Sequence, residues 1–164
     1  MFPDDIEASA AALIQAALKA GVLIATAESC TGGLVSGALT AVAGSSAVLD
    51  RGFVTYSNEA KVDLLGVSDD LLVRFGAVSE PVARAMASGA VERSRASASV
   101  SITGVAGPGG GSPEKPVGLV HFAAVGPGGA VVHIERRFGD IGREAVRLES
   151  VRVALGLLLD AVTA

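Results

Sequence analysis

The sequence predicts a three-layer α/β/α domain with a mixed β-sheet, and we expect this one domain to cover residues 1–164. Half of the 164 residues are apolar, which is enough for a full hydrophobic core. Segments with helical spacing of apolar residues alternate with short strand-like runs, a pattern that predicts a sheet covered by helices. Residues 117–125 and 130–138 are also strand-like, and the short GPGG connection between them predicts an antiparallel hairpin.

Each helix is predicted from its apolar spacing and from start and stop signals. Gly21 ends the first helix, Ser57 and Asn58 offer a cap for the third, and Pro81 marks the first turn of the fifth. In chain order, the predicted helices cover residues 5–19, 31–42, 59–65, 68–75, 79–91 and 142–162.

The other strands are predicted from β-branched and aromatic content. They are the apolar run that begins at Val22, residues 52–56 and residues 98–103. The first of these runs breaks into small polar residues and a glycine pair, which predicts a strand, a tight turn and a helix. Such a turn places residues 29–31 at the carboxyl end of a strand, beside the unpaired N–H groups of the following helix.

Charge and composition exclude several classes of protein. The net charge of −4 argues against nucleic-acid binding, which needs a basic surface. The single cysteine, Cys30, excludes an internal disulfide, and no apolar segment approaches the roughly 20 residues that span a bilayer. We therefore expect a cytoplasmic protein with no membrane partner. The apolar residues of the last helix are dense enough to cover a sheet face or a subunit interface, and we expect a homo-oligomer, with a dimer as the simplest form.

Ser29 is a candidate nucleophile at the turn after the first strand. The alternative is that Ser29 or Thr31 caps the following helix, which the local sequence alone favours. Cys30 competes as a nucleophile, although a small buried core residue is its usual role.

Lys61 changes this balance, because it falls in the first turn of a predicted helix, where the helix dipole disfavours a cation. Burial there would lower its pKa towards that of a general base, whereas a surface lysine would simply extend into solvent. A serine activated by a neutral lysine needs no histidine. His121 and His133 fall in the predicted hairpin and favour packing roles, and their dispersion predicts no metal site.

Residues 104–111 form a glycine-rich segment after a strand, where backbone N–H groups bind anions in many proteins. The segment lacks the Gly-Lys-Ser/Thr ending of a Walker loop, so a flexible connection is an equal alternative. Tyr56 lies at a strand end near Lys61. Arg143 and Arg147 on the last helix offer forked donors for a phosphate, or a charged outer surface.

Four segments together resemble the CinA C-terminal domain family over nearly the whole chain. They are residues 26–33 (TAESCTGG), 52–61 (GFVTYSNEAK), 76–80 (GAVSE) and 103–110 (TGVAGPGG). The longer members of that family carry an amino-terminal domain that we do not expect here. Residues 139–143 (GDIGR) differ from the Gly-Asp-Arg expected in the family, so we favour Arg147 over Arg143.

The resemblance implies a nicotinamide-nucleotide amidase that converts nicotinamide mononucleotide to nicotinate mononucleotide and ammonia, without a cofactor. It also implies a serine–lysine mechanism. The residues then expected to be catalytic are Ser29, Lys61 and Tyr56, and those expected to bind substrate or its oxyanion are Thr31, Gly32, Gly33, Thr103, Gly104, Ala106, Gly107 and Arg147. Two alternatives stay open: a non-catalytic regulatory module that binds a phosphorylated nucleotide, and an amidase for another carboxamide.

Overall fold

A five-stranded sheet lies between two layers of helices in the computed structural model, which describes residues 1–164. The helices are α1 (Asp4–Ala20), α2 (Leu34–Thr40), α3 (Asn58–Leu65), α4 (Asp69–Phe75), α5 (Glu80–Glu92) and α6 (Arg143–Thr163). The strands are β1 (Ile24–Glu28), β2 (Leu49–Val54), β3 (Ala98–Gly104), β4 (Leu119–Val125) and β5 (Val131–Arg137). The predicted three-layer α/β/α class is confirmed.

The sheet is mixed, as predicted, with strand order β2-β1-β3-β4-β5. Strands β2 and β3 both run parallel to β1, whereas β4 and β5 form the antiparallel hairpin. Glu28 at the end of β1 is in register with Val54 of β2 and Ile102 of β3. The segments that follow these three strands therefore meet at the carboxyl ends of the parallel strands.

The two helix layers bury different cores. Helices α1, α2 and α6 cover one face, where the larger apolar cluster includes Ile14, Phe122 and Leu155. Helices α3, α4 and α5 cover the other face around Met86 and Leu65. The apolar residues of α6 on which the dimer prediction depends lie within the first core, so oligomeric state stays a prediction. No helix combines the length and apolar character needed to cross a membrane.

A row of buried hydroxyl groups fastens β3 to the second helix layer. Ser99 and Ser101 donate hydrogen bonds to the Ala87 and Ala83 carbonyls of α5 at 2.7 and 2.6 Å. Thr103 donates to the Ala77 carbonyl at 2.8 Å. Because these buried polar groups are paired, they fix the position of strand β3 relative to α5 and to the segment that precedes it.

Helix α2 begins at Leu34, three residues later than predicted, and its N-cap residue is Gly33. The delay arises because residues 30–33 form a turn, and the N–H groups of Val35 and Ser36 then donate to the buried Glu28 carboxylate. We expected unpaired N–H groups at the start of this helix, but those of Val35 and Ser36 are hydrogen-bonded to Glu28. At α3, the cap is Ser57, whose hydroxyl accepts from the Ala60 N–H. Asn58 is the first helical residue and not the cap.

Candidate active site

A cleft of about 330 Å³ lies where the segments after β1, β2 and β3 meet. Its size is within the range of small-molecule sites. The wall is formed by residues 29, 30, 56, 58, 61, 77, 78, 103–107, 109 and 110, together with Arg143. Lys61 and Arg143 are its basic residues, and no acidic residue lines it. The exposed Arg143 guanidinium gives the cleft a positive charge that suits an anionic ligand, although the whole chain is acidic.

Ser29 lies in the cleft wall directly after β1. Its backbone N–H donates to the Ile102 carbonyl at 2.9 Å, which fixes it beside β3. Its side chain does not cap α2, whose N-cap residue is Gly33 and whose Val35 and Ser36 N–H groups donate to Glu28. Instead, the Oγ atom lies 3.0 Å from Nζ of Lys61. The two residues are 32 positions apart in the chain, and the fold brings them within hydrogen-bond distance.

Lys61 is almost completely buried, with 1% of its surface exposed. Its Nζ atom also donates to the Thr55 carbonyl at 2.9 Å and approaches the Tyr56 and Ser57 carbonyls at 3.4 Å. These partners are neutral oxygens and not a carboxylate. Burial is the main cause that lowers the pKa of Lys61 from its usual 10.5. A neutral amine is therefore favoured at this position more than at a surface lysine.

Cys30 also lines the cleft, but its chemistry is that of a buried thiol. Burial raises its pKa to about 11. Because the thiolate is the nucleophilic form, this thiol is protonated and unreactive near neutral pH. The comparison favours Ser29 as the nucleophile of the cleft.

Tyr56 and Arg143 meet across the mouth of the cleft. Arg143 Nη2 donates to the Tyr56 hydroxyl at 3.1 Å, and Nη1 donates to the Gly107 carbonyl at 2.7 Å. Tyr56 is mostly exposed, at 62%. The guanidinium thus stands at the entrance, between the segment before α3 and the glycine-rich loop.

The glycine-rich loop supplies the opposite wall. Thr103, Gly104, Ala106 and Gly107 all line the cleft. Gly104 permits close packing, because a Cβ atom there would lie 2.8 Å from the Leu119 carbonyl oxygen. Gly107 has a φ of 82°, which a side chain would strain. Thr103 lines the cleft, but its hydroxyl donates to the Ala77 carbonyl. This donor is therefore not available to a ligand.

Arg147 and residues 31–33 do not line the cleft. The Arg147 guanidinium donates to the Cys30 and Thr31 carbonyls, both at 3.1 Å. The Gly32 N–H donates to the Ser29 carbonyl at 3.0 Å. Contrary to the preference from sequence, the structure brings Arg143 into the cleft, while Arg147 holds the turn that carries Ser29.

Sequence reasoning missed Asn58, which lines the cleft beside Lys61. We had interpreted it as a helix cap. Its spacing of three from Lys61 was the available signal, because residues three apart in a helix share a face. Ala77 and Val78 also line the cleft. Neither carries a reactive group, so their segment gave no chemical signal.

The two histidines lie together on the hairpin and outside the cleft wall. His121 Nδ1 and His133 Nε2 are 2.9 Å apart, and burial is the main cause that lowers both pKa values. No group of three or more His, Cys, Asp or Glu side chains is arranged to hold a metal ion.

Comparison with known proteins establishes the family of this chain. The family model "CinA C-terminal domain" matches residues 6–162. The nicotinamide-nucleotide amidohydrolase PncC of Enterobacter agglomerans is 54% identical over 87% of each chain. A CinA-like protein of Anaeromyxobacter dehalogenans is 53% identical over 89% of this chain, which spans 36% of that protein's length. The crystal structure of the competence/damage inducible protein CihA from Agrobacterium tumefaciens superimposes with a TM-score of 0.97 and 57% identity, over 100% of this chain and 99% of that one. The chain belongs to the CinA C-terminal domain family.

Proposed function

We propose that this protein hydrolyses the carboxamide of nicotinamide mononucleotide to nicotinate mononucleotide and ammonia, with Ser29 as nucleophile and Lys61 as general base. The observation that carries the mechanism is the 3.0 Å contact between Ser29 Oγ and the buried Nζ of Lys61. The substrate is taken from the related amidohydrolase, which is 54% identical over most of its length.

The carbonyl oxygens around Lys61 orient its amine for proton transfer. A neutral amine has two N–H donors and one lone pair. When the N–H groups donate to the Thr55 carbonyl and to one of the 3.4 Å carbonyls, the lone pair is left for Ser29. The Ser29 proton then moves to Lys61 as Oγ bonds to the carboxamide carbon.

The developing oxyanion needs N–H donors that the fold leaves free. The Gly32 N–H is bonded to the Ser29 carbonyl, and the N–H groups of Val35 and Ser36 are bonded to Glu28. The N–H groups of Cys30, Thr31 and Gly33 make no hydrogen bond to another residue of the chain. Cys30 lines the cleft directly after the nucleophile, so its N–H is the donor that we assign first.

Ammonia leaves when the Lys61 ammonium returns its proton to the amide nitrogen and the C–N bond breaks. The neutral Lys61 then takes a proton from water, whose oxygen attacks the acyl carbon. Ser29 recovers its proton from Lys61 as the carboxylate leaves. Tyr56 is the other candidate donor to the leaving group. Its hydroxyl is hydrogen-bonded to Arg143 at the cleft mouth, and this favours Lys61 in the role.

The phosphate of the nucleotide is assigned to the cleft mouth, between Arg143 and the glycine-rich loop. Arg143 can offer a forked, permanently charged donor there once it releases Tyr56 or Gly107. The absence of acidic side chains from the wall removes a source of repulsion. The proposed partner is therefore a small anionic nucleotide.

A substrate panel tests this function. Nicotinamide mononucleotide, nicotinamide riboside and nicotinamide are each incubated with the protein, and ammonia is quantified while binding is measured by calorimetry. We expect ammonia release to be fastest from the mononucleotide and slower, but measurable, from the riboside. Saturable binding of the mononucleotide without ammonia would contradict an amidase and favour the regulatory module. Faster release from an unphosphorylated carboxamide would contradict the substrate assignment.

A further inference from the structure

Glu28, the last residue of β1, is fully buried beside the nucleophile. Its Oε1 accepts from the Val35 N–H at 2.9 Å, and its Oε2 accepts from the Ser36 N–H at 3.0 Å. A buried carboxylate without partners is costly, whereas N–H groups in the first turn of a helix satisfy it. The side chain is thus placed for this contact with α2 and does not line the cleft.

The two hydrogen bonds span the turn that carries Ser29. They join the end of β1 to the start of α2, seven and eight residues further on. The N-cap residue of α2 is Gly33, which has no side chain to cap the helix. Glu28 therefore supplies from the strand the cap that the turn lacks.

The backbone of Glu28 fastens the other half of the catalytic pair. Its carbonyl accepts a hydrogen bond from the Thr55 N–H at 2.8 Å. Thr55 in turn presents its own carbonyl to Lys61 at 2.9 Å. One residue thus connects the turn of Ser29 with the segment that orients Lys61.

We propose that Glu28 is a positioning residue, whose side chain holds the Ser29 turn at hydrogen-bond distance from Lys61. This inference rests on the proposed function, since it assigns Glu28 a part in the activation of Ser29. Glu28 touches no substrate. Its loss should slow the step in which Ser29 attacks and leave substrate affinity unchanged.

Glu28→Gln tests the role with little change of volume. The amide keeps one oxygen for one N–H group but turns an NH₂ donor towards the other, so the turn can no longer be held at both points. The readout is the rate at which an alkyl fluorophosphonate labels Ser29, a reaction that forms an O–P bond and releases fluoride. We expect this rate and kcat for nicotinamide mononucleotide to fall at least tenfold, with KM within twofold.

Glu28→Asp is the second variant, in case the amide prevents folding. It keeps both oxygens but is one methylene shorter, so it should also slow labelling with KM unchanged. Circular dichroism establishes that each variant is folded. Labelling at the wild-type rate in a folded Glu28 variant overturns the proposal.

Ser99→Ala is the matched control. It removes another buried hydrogen bond, the 2.7 Å contact of the Ser99 hydroxyl with the Ala87 carbonyl, near the start of β3, whereas the cleft lies beyond the end of that strand. Labelling and turnover should stay at wild-type values. A loss as large as that of Glu28→Gln would reduce Glu28 to general stability and overturn its positioning role. If the wild-type protein is labelled at Ser29 but does not hydrolyse the mononucleotide, only the proposed substrate is contradicted. The labelling rates of the Glu28 variants would still decide the role of Glu28.

Discussion

The Nζ atom of Lys61 lies 3.0 Å from the Oγ atom of Ser29, and its other polar contacts are backbone carbonyl oxygens. A lysine buried beside a carboxylate would be held as an ammonium ion. Here burial lowers the pKa of Lys61, and neutral oxygens direct its donors. This arrangement supports the proposed transfer of the serine proton to the amine.

The activity should therefore rise with pH as Lys61 loses its proton. Because the base is active only when neutral, kcat/KM should increase through the lowered pKa of Lys61 and reach a plateau below pH 10.5. The profile is measured with nicotinamide mononucleotide across this range. A rate that is flat or falls with pH up to 10 would count against Lys61 as the base.

The stability of the protein should depend on pH through the same group. Since the pKa of Lys61 is lower in the folded state than its usual 10.5, the unfolded chain binds more protons between these two values. The free energy of unfolding should therefore rise with pH across this window, by up to about 1.4 kcal/mol per pH unit. Urea unfolding of wild type and Lys61→Met isolates the effect. If the free energy of unfolding changes equally with pH in the two proteins, the pKa of Lys61 is not lowered.

Removal of the Arg143 guanidinium should weaken binding of the phosphate. A charged hydrogen bond contributes about 1.5–3 kcal/mol, so Arg143→Ala should raise KM for nicotinamide mononucleotide at least tenfold. KM for nicotinamide riboside, which has no phosphate, should not change. Initial rates with both substrates provide the test.

Two other arginines serve as controls for this prediction. Arg136 lies exposed on β5, and Arg136→Ala should leave both KM values unchanged. Arg147→Ala frees the Cys30 and Thr31 carbonyls, so it should lower kcat for both substrates alike. A phosphate-specific effect at Arg147 instead of Arg143 would restore the preference drawn from the sequence.

Tyr56→Phe should affect binding more than chemistry. The substitution removes the hydroxyl that accepts from Arg143 and keeps the ring. We expect KM for the mononucleotide to change by about twofold to fivefold, as expected for a modest hydrogen bond, with kcat nearly constant. A hundredfold loss of kcat would identify Tyr56 as the proton donor to the leaving group.

The helices and strands could be predicted because their signals are local. Gly21 and Gly66 end helices in the left-handed conformation, and the connection between β4 and β5 is short enough to fix their antiparallel pairing. The start of α2 was wrong by three residues, because the side chain that organises it, Glu28, belongs to the preceding strand.

The site was predictable where a residue broke a local rule. Lys61 stood out because a cation is unfavourable in the first turn of a helix. Arg143 gave no such signal, since its partner Tyr56 is 87 residues away and an arginine at a helix start is also common on surfaces. Contacts between residues so far apart in sequence depend on how α6 packs across the sheet, which local sequence patterns do not encode.

The central claim is that Ser29, activated by Lys61, cleaves the carboxamide of nicotinamide mononucleotide. The most direct measurement quantifies ammonia and nicotinate mononucleotide from wild type and from Ser29→Ala, with folding and nucleotide binding verified for both. We predict stoichiometric products from wild type and a loss of at least about a thousandfold in the variant, which lacks the nucleophile. Turnover by Ser29→Ala at a rate near that of wild type would contradict the account.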